Sequence, residues 1–199
     1  KDVMCELGSA DYPDSVNIRG YKPNTSVHMG QLKRALKMLK KAKKPLFLAG
    51  GGVNIARANK IFTEVVNKTN VPVVTTIMGR GAVPTNHPLY IGNLGMHGQY
   101  AANMAVGECD LLFSIGTRFN DRITGKLHAF APNAQIVHID IDTASISRNI
   151  HVHVPIVADA LEAVTKMNEY VEKCETEEWL EQIKAWKEEH PLTMKDRGH

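Results

Sequence analysis

The chain has 199 residues, a formal charge of +3 and a hydrophobic share of 43%. Such a composition carries no sign of disorder or of a fibrous repeat and allows one large domain, or two small ones, with a substantial core. Cys5, Cys109 and Cys174 lie far apart with no Cys-x-x-Cys pair, which points to a reducing compartment and away from a disulfide frame or a structural zinc site. No stretch reaches the length of a membrane span, and no signal peptide is visible.

Residues 1–25 scatter apolar side chains among Gly8, Pro13, Gly20 and Pro23 without periodicity, and read as an extended linker. Ser26 is placed to cap a helix whose apolar face is Leu32, Ala35, Leu36, Met38 and Leu39, and which ends near Lys43. The basic run Lys40–Lys44 at that end complements the helix dipole; the competing reading is a nucleic-acid patch. Pro45–Ala49 is a short buried strand that delivers Gly50-Gly51-Gly52 into a turn, and a helix over 56–69 follows. Val71–Thr76 is the next strand, with Pro72 tolerated near its start. Residues 79–95 read as a long irregular loop holding Pro84 and Pro88, of the kind that is usually functional. Then come a helix over 99–106, a strand over 110–115, a loop through Arg118–Arg122, and strands over 136–141 and 152–157. Helices over 160–174 and 177–189 follow. Strands alternate with helices and are apolar on both faces. This predicts an α/β, doubly wound, mainly parallel Rossmann-like sheet of about six strands, covered on both sides.

Open sheets of this kind bind ligands beyond the C-terminal ends of their strands. Two stretches fall there: Gly92-Asn93-Leu94-Gly95-Met96-His97-Gly98, and Gly116-Thr117-Arg118-Phe119-Asn120-Asp121-Arg122 after the apolar run 111–115. Arginines flanking an acid suit a phosphate or carboxylate, although Arg118, Asp121 and Arg122 could equally form a surface ion-pair cluster. Gly50–Gly52 lets backbone approach a ligand and offers helix amides to an anion, but the dinucleotide fingerprint lacks its third glycine, and a tight turn alone would also explain it. Asp140 ends a strand, where an acid accepts ribose hydroxyls; the alternative is that Asp140 or Asp142 caps a helical turn through 145–149. Met96 and His97 by themselves read as a core residue and a helix-start histidine. His151 and His153 share one face of the last strand and would need further help to bind a metal, so a solvated edge is the preferred reading.

Three stretches together carry a resemblance: Gly92–Gly98, Ala101–Val106 and Gly116–Gly125 (Gly-Thr-Arg-Phe-Asn-Asp-Arg-Ile-Thr-Gly), with Gly79–Pro84 and His87-Pro88-Leu89 also fitting. They resemble the central domain of the acetolactate synthase (acetohydroxyacid synthase) catalytic large subunit, a thiamine-diphosphate-dependent family, from Lys1 to at least Leu161. The resemblance implies that this domain carries FAD, without a redox role in the reaction. Matched position by position, the flavin cofactor would be lined by Gly50, Gly51, Gly52, Thr76, Ile77, Leu94, Met96 and His97. Gly116, Arg118, Asn120, Arg122, Ile123, Asp140, Ile141, Asp159 and Ala160 would complete the site. Arg122 would also face the substrate channel, with Met96 and Asp121 at its border. Asn120 replaces the usual first Asp of the arginine motif, and Ala158 stands where a Gly often precedes Asp159.

The same resemblance implies a larger enzyme that joins pyruvate to a second 2-keto acid in branched-chain amino-acid biosynthesis. Its catalytic glutamate and its Gly-Asp-Gly motif for thiamine diphosphate and Mg2+ belong to other domains, and no Gly-Asp-Gly occurs here. Residues 1–25 then read as a linker from an N-terminal pyrimidine-binding domain, 26–175 as the central FAD domain, and 176–199 as a helix and linker toward a thiamine-diphosphate domain. Catalytic residues and metal ligands are expected in none of these stretches, and the chain alone is expected to be inactive. The implied partners are those other domains, a homo-oligomer and a regulatory small subunit, with no nucleic acid and no membrane; the implied setting is a bacterial cytoplasm. Two readings compete with it. One is a structural spacer without flavin, as in related thiamine-diphosphate enzymes; the other is a stand-alone NAD-type module.

Overall fold

The computed structural model describes residues 2–9, 14–15 and 25–192. Its elements, in chain order, are α1 (Asp2–Cys5), α2 (Met29–Lys41), β1 (Pro45–Ala49), α3 (Gly51–Ile55), α4 (Asn59–Thr69), β2 (Val73–Thr75) and β3 (Tyr90–Asn93). They continue with α5 (Tyr100–Glu108), β4 (Leu111–Ile115), α6 (Asp121–Thr124), β5 (Gln135–Asp140), β6 (Val154–Val157), α7 (Ala160–Tyr170) and α8 (Glu177–Glu189). Six strands form one sheet in the order β3-β2-β1-β4-β5-β6, and every pairing is parallel. The doubly wound fold expected from the sequence is the fold observed.

Its two faces are filled by alternate side chains of the same strands, as the pleat requires. Phe47, Phe113, Ile115, Val137 and Ile139 face one layer, where α2, α4 and α7 contribute Leu32, Phe62, Val65, Val164 and Met167. The Phe47 ring meets the edges of Phe62 and Phe113 at centroid distances of 5.7 and 5.6 Å. Leu46, Leu48, Val74, Leu112 and Ile136 face the other layer, built from Ala102 and Val106 of α5 and Trp179 and Ile183 of α8. Trp179 ties α8 to the sheet, donating its indole N–H to the Pro45 carbonyl at 3.1 Å. Thus α8 packs within the same core as the elements before it.

Several local expectations change. The helix α2 is capped not by Ser26 but by His28, whose Nδ1 accepts from the Gln31 amide at 3.2 Å. The single helix expected over 56–69 is two helices, because the glycines enter α3 at once and Arg57, at φ 56°, breaks the chain before α4. The long loop contains an edge strand, β3, which Pro88 and Gly92 disguised in the sequence; Tyr90 and Asn93 side chains join Thr75 Oγ1 across the pair. The expected helical turn over 145–149 is a short 3-10 turn over Thr143–Ser145, and Asp142 caps it by accepting from the Ala144 amide. Within 1–25, Asp2–Cys5 is helical rather than extended, and the rest of that linker reading falls largely outside the described residues, as does the stretch after Leu192. The Lys40–Lys44 run is tied locally: Lys40 pairs with Glu172, and Asp110 accepts from the Lys43 and Lys44 amides at 2.8 and 2.9 Å. His151 and His153 lie before β6, ring against ring at 4.9 Å, and His153 Nδ1 accepts from the Ile136 amide.

Candidate functional site

The strand order reverses between β1 and β4, and the chain leaves those strands in opposite directions along the sheet. A crevice opens beyond their C-terminal ends, as this topology requires. It is a cleft of about 490 Å³, of a size suited to a small-molecule ligand.

The floor of the cleft is glycine against glycine. Gly52 donates its amide to the Gly116 carbonyl at 3.0 Å, and Gly50 donates to Ile115 at 2.9 Å. A Cβ on Gly50 would stand 2.1 Å from the Gly116 carbonyl oxygen, and one on Gly52 would stand 2.7 Å from Gly116 Cα. The glycines therefore let two strand-end turns cross, and the amides of Gly50 and Gly52 are committed to that crossing rather than offered to an anion. Gly51, Gly52 and Gly116 border the cleft, whereas Gly50 is buried beneath it.

The turn after β4 carries the arginine. Gly116 (φ 63°) and Phe119 (φ 51°) are both left-handed, a conformation that a phenylalanine adopts only when its surroundings hold it. They do: Phe119 is 2% exposed, packs edge-on against His138 at 4.9 Å and Phe130 at 6.0 Å, and its carbonyl accepts from Asn149 Nδ2. With Phe119 pointing inward, Arg118 and Asn120 on either side are turned outward, exposed, onto the cleft. Arg118 and Arg122 form no ion pair among the described residues, so the surface-cluster reading has no support in the geometry.

The opposite wall comes from β5 and β6. Asp140 is 8% exposed, and its Oδ1 accepts from the Asp142 amide at 2.9 Å. The Asp159 carboxylate caps α7, accepting from Leu161 and Glu162 at 2.9 and 3.2 Å, so it borders the cleft with its oxygen already engaged. Ala158 and Ala160 flank it. The Ser145 hydroxyl and the Ala144 amide hold the Asp142 carboxyl below the usual carboxylate range, and Arg148 and Arg118 add to the effect.

The rim is apolar. Ile55, Ile77, Met78 and Ile141 all border the cleft and are 86%, 69%, 73% and 42% exposed. Large hydrophobics left in water around one concavity mark a place for an apolar ligand surface. Thr76 also lines the cleft, its Oγ1 accepting from the Gly79 amide.

Leu94, Met96, His97 and Arg122 lie outside this cleft. Leu94 is buried and borders a smaller hollow of about 180 Å³, which shares Ile123 with the main cleft. Met96, 66% exposed, donates its amide to the Arg122 carbonyl at 3.0 Å, so Met96, Asp121 and Arg122 gather as a neighbouring exposed patch. Asn103 holds that loop, its side chain bonded to both the N–H and the carbonyl of Gly95. Among the described residues no three His, Cys, Asp or Glu side chains come together as a metal-binding group.

Sequence reasoning missed Ile55, Met78, Phe119 and His138 as contributors. Only Phe119 left a signal, an aromatic in an otherwise polar loop.

The fold is that of a doubly wound α/β domain with a glycine-floored cleft at the switch point of its sheet. The profile of the thiamine pyrophosphate enzyme central domain matches residues 32–167, and the chain belongs to that family. Over 94% of its length it is 44% identical to a probable acetolactate synthase large subunit of Methanococcus aeolicus, covering 33% of that protein. It is 42% identical to the acetolactate synthase isozyme 3 large subunit of Escherichia coli (strain K12), covering 94% of this chain and 33% of the relative. Acetolactate synthase of Mycobacterium bovis is 44% identical across 84% of the chain. The chain spans about one third of the length of the first two of these relatives, and the match covers 27% of the third. No helix among the described residues is long and apolar enough to cross a membrane.

Proposed function

We propose that this chain is the FAD-holding central domain of an acetolactate synthase large subunit, whose reaction joins pyruvate to pyruvate or to 2-ketobutyrate. The observation that carries the reading is the cleft itself. Most of the strand-end residues that the family resemblance selects, from Gly51 and Gly52 through Arg118 and Asp140 to Ala160, line one concavity at the switch point, although Gly50, Leu94, Met96, His97 and Arg122 do not. The residues suit the cofactor: an apolar rim for a ring system, an arginine without an ion pair among the described residues for a diphosphate, and a largely buried acid for ribose hydroxyls.

In this reading FAD supplies no electron transfer to the carbon–carbon bond formation. Arg118 holds the diphosphate, Asp140 accepts from a hydroxyl, and Ile55, Ile77, Met78 and Ile141 exclude water from the ring system. Met96, Asp121 and Arg122 border the passage to the reacting centre, and Arg122 takes the carboxylate of the incoming 2-keto acid. Thiamine diphosphate and Mg2+ are held by other domains of the enzyme, which works as an oligomer with a regulatory small subunit in the cytoplasm. The chain alone forms no acetolactate.

The test is titration of FAD into the purified chain, followed by flavin fluorescence, with Arg118→Ala beside it. Saturable binding that weakens by about tenfold in the variant is expected, the loss of one charge-assisted contact. Absence of saturable binding would favour the spacer role without flavin.

A further inference from the structure

His138 was not among the residues the sequence singled out, and it does not border the cleft. It lies on β5 two residues before Asp140, on the same face, and is fully buried. Its Nε2 stands 2.7 Å from the Thr117 carbonyl oxygen and 3.7 Å from Asp140 Oδ2. A carbonyl only accepts, so Nε2 is the protonated nitrogen. In the neutral ring that leaves Nδ1 as an acceptor. Nδ1 is buried, with no hydrogen-bond partner among the described residues. Across the β4–β5 ladder His138 is paired with Ser114, whose buried hydroxyl is likewise without one. A buried polar side chain fixes an arrangement through the hydrogen bond it does make, and for His138 that bond runs to the Thr117 carbonyl.

The arrangement fixed here is the mouth of the cleft. Thr117 sits between Gly116, which crosses Gly52, and Arg118, while Asp140 forms the opposite wall. We propose that His138 is a positioning residue: its Nε2–H reaches from β5 to the Thr117 carbonyl and sets how far the arginine-bearing turn stands from Asp140. Phe119, packed on the same ring, completes the hold. The effect on a ligand is indirect, through Arg118, and this inference rests on the cleft being the FAD site proposed above.

The experiment compares the whole chain with His138→Gln, whose side-chain amide restores a donor near Nε2, and His138→Leu, which removes it. FAD titration is expected to give about threefold weaker binding at most for His138→Gln and at least about tenfold for His138→Leu, on the scale of one buried hydrogen bond. Amide exchange provides a readout that general destabilisation would not reproduce. The Gly52 amide, which donates to Gly116, should exchange about tenfold faster in His138→Leu while the Phe47 amide, which donates to Pro72, stays unchanged. Equal losses in both variants, or Gly52 and Phe47 accelerating together, would overturn the proposal. The 15N shifts of the wild-type imidazole need no variant: protonation at Nε2 is expected, and a ring protonated only at Nδ1 would also overturn it. If the wild-type chain bound no FAD, the cofactor reading alone would fall, and the exchange and 15N data would still decide the role of His138.

Discussion

Replacing Gly116 by alanine tests whether the cleft floor is as tight as its geometry states. Gly116 has φ 63°, and a Cβ there would lie 2.7 Å from Gly52 Cα and 3.0 Å from Gly52 N and C. These are backbone atoms, which cannot swing away as a side-chain end could. Holding alanine in the left-handed region costs about 1–2 kcal/mol, and forcing a methyl into a packed contact adds about 1–3 kcal/mol. Together Gly116→Ala is expected to cost roughly 2–5 kcal/mol, which in a domain of this size lowers the melting temperature by about 10 °C. Thermal unfolding followed by circular dichroism measures it. Gly107→Ala is the control: Gly107 lies in α5 with nothing within 4 Å of an added Cβ, and that variant should gain about 0.5 kcal/mol from helix propensity. A Gly116→Ala protein melting within about 2 °C of wild type would mean that the two turns are not in contact, and the account of the cleft floor would fail.

Other expectations are simpler to check. Burial, with Asp110 adding to it, pushes the Cys109 thiol up to about 12, and burial also raises Cys174, whereas Cys5 is exposed. A thiol reagent at pH 8 should therefore modify one cysteine quickly and the other two only after denaturant is added, as a count of released chromophore will show. Burial lowers His87, and burial together with His151 and Arg34 lowers His153, both from 6.5. The unfolded chain then takes up protons first as pH falls, so their contribution is present above about pH 6.5 and is lost on acidification below it. The urea midpoint should fall between pH 7.5 and 5.5, and less steeply in a protein with both histidines changed to glutamine; parallel slopes would exclude these two groups. Trp179→Phe removes the donor to the Pro45 carbonyl and should cost about 1–3 kcal/mol in urea unfolding. A value near zero would mean that α8 is not anchored through that bond.

The sequence by itself determined the layer plan. Strands such as Pro45–Ala49, and the run Leu111-Leu112-Phe113 of β4, are apolar at successive positions, and only a sheet covered on both faces can bury them. It also pointed to the edge where the cleft opens, because the glycines and Arg118 follow strand ends, and strand ends of a parallel sheet share one edge. Tertiary structure decided the rest, for reasons that no local pattern carries. The strand β3 exists because Thr75 offers an edge to Tyr90–Asn93, a partner fifteen residues and more away that proline and glycine had masked. Gly50 and Gly52 look alike as ligand glycines, yet both serve a crossing with Gly116, some sixty residues later in the chain. Asp140, Asp142 and Asp159 are equivalent acids in sequence. The fold assigns each carboxylate different neighbours: an amide and His138 for Asp140, a 3-10 turn for Asp142, and the start of α7 for Asp159. Composition and periodicity report what a residue must bury. Which polar atom finds which partner is fixed only when distant segments meet.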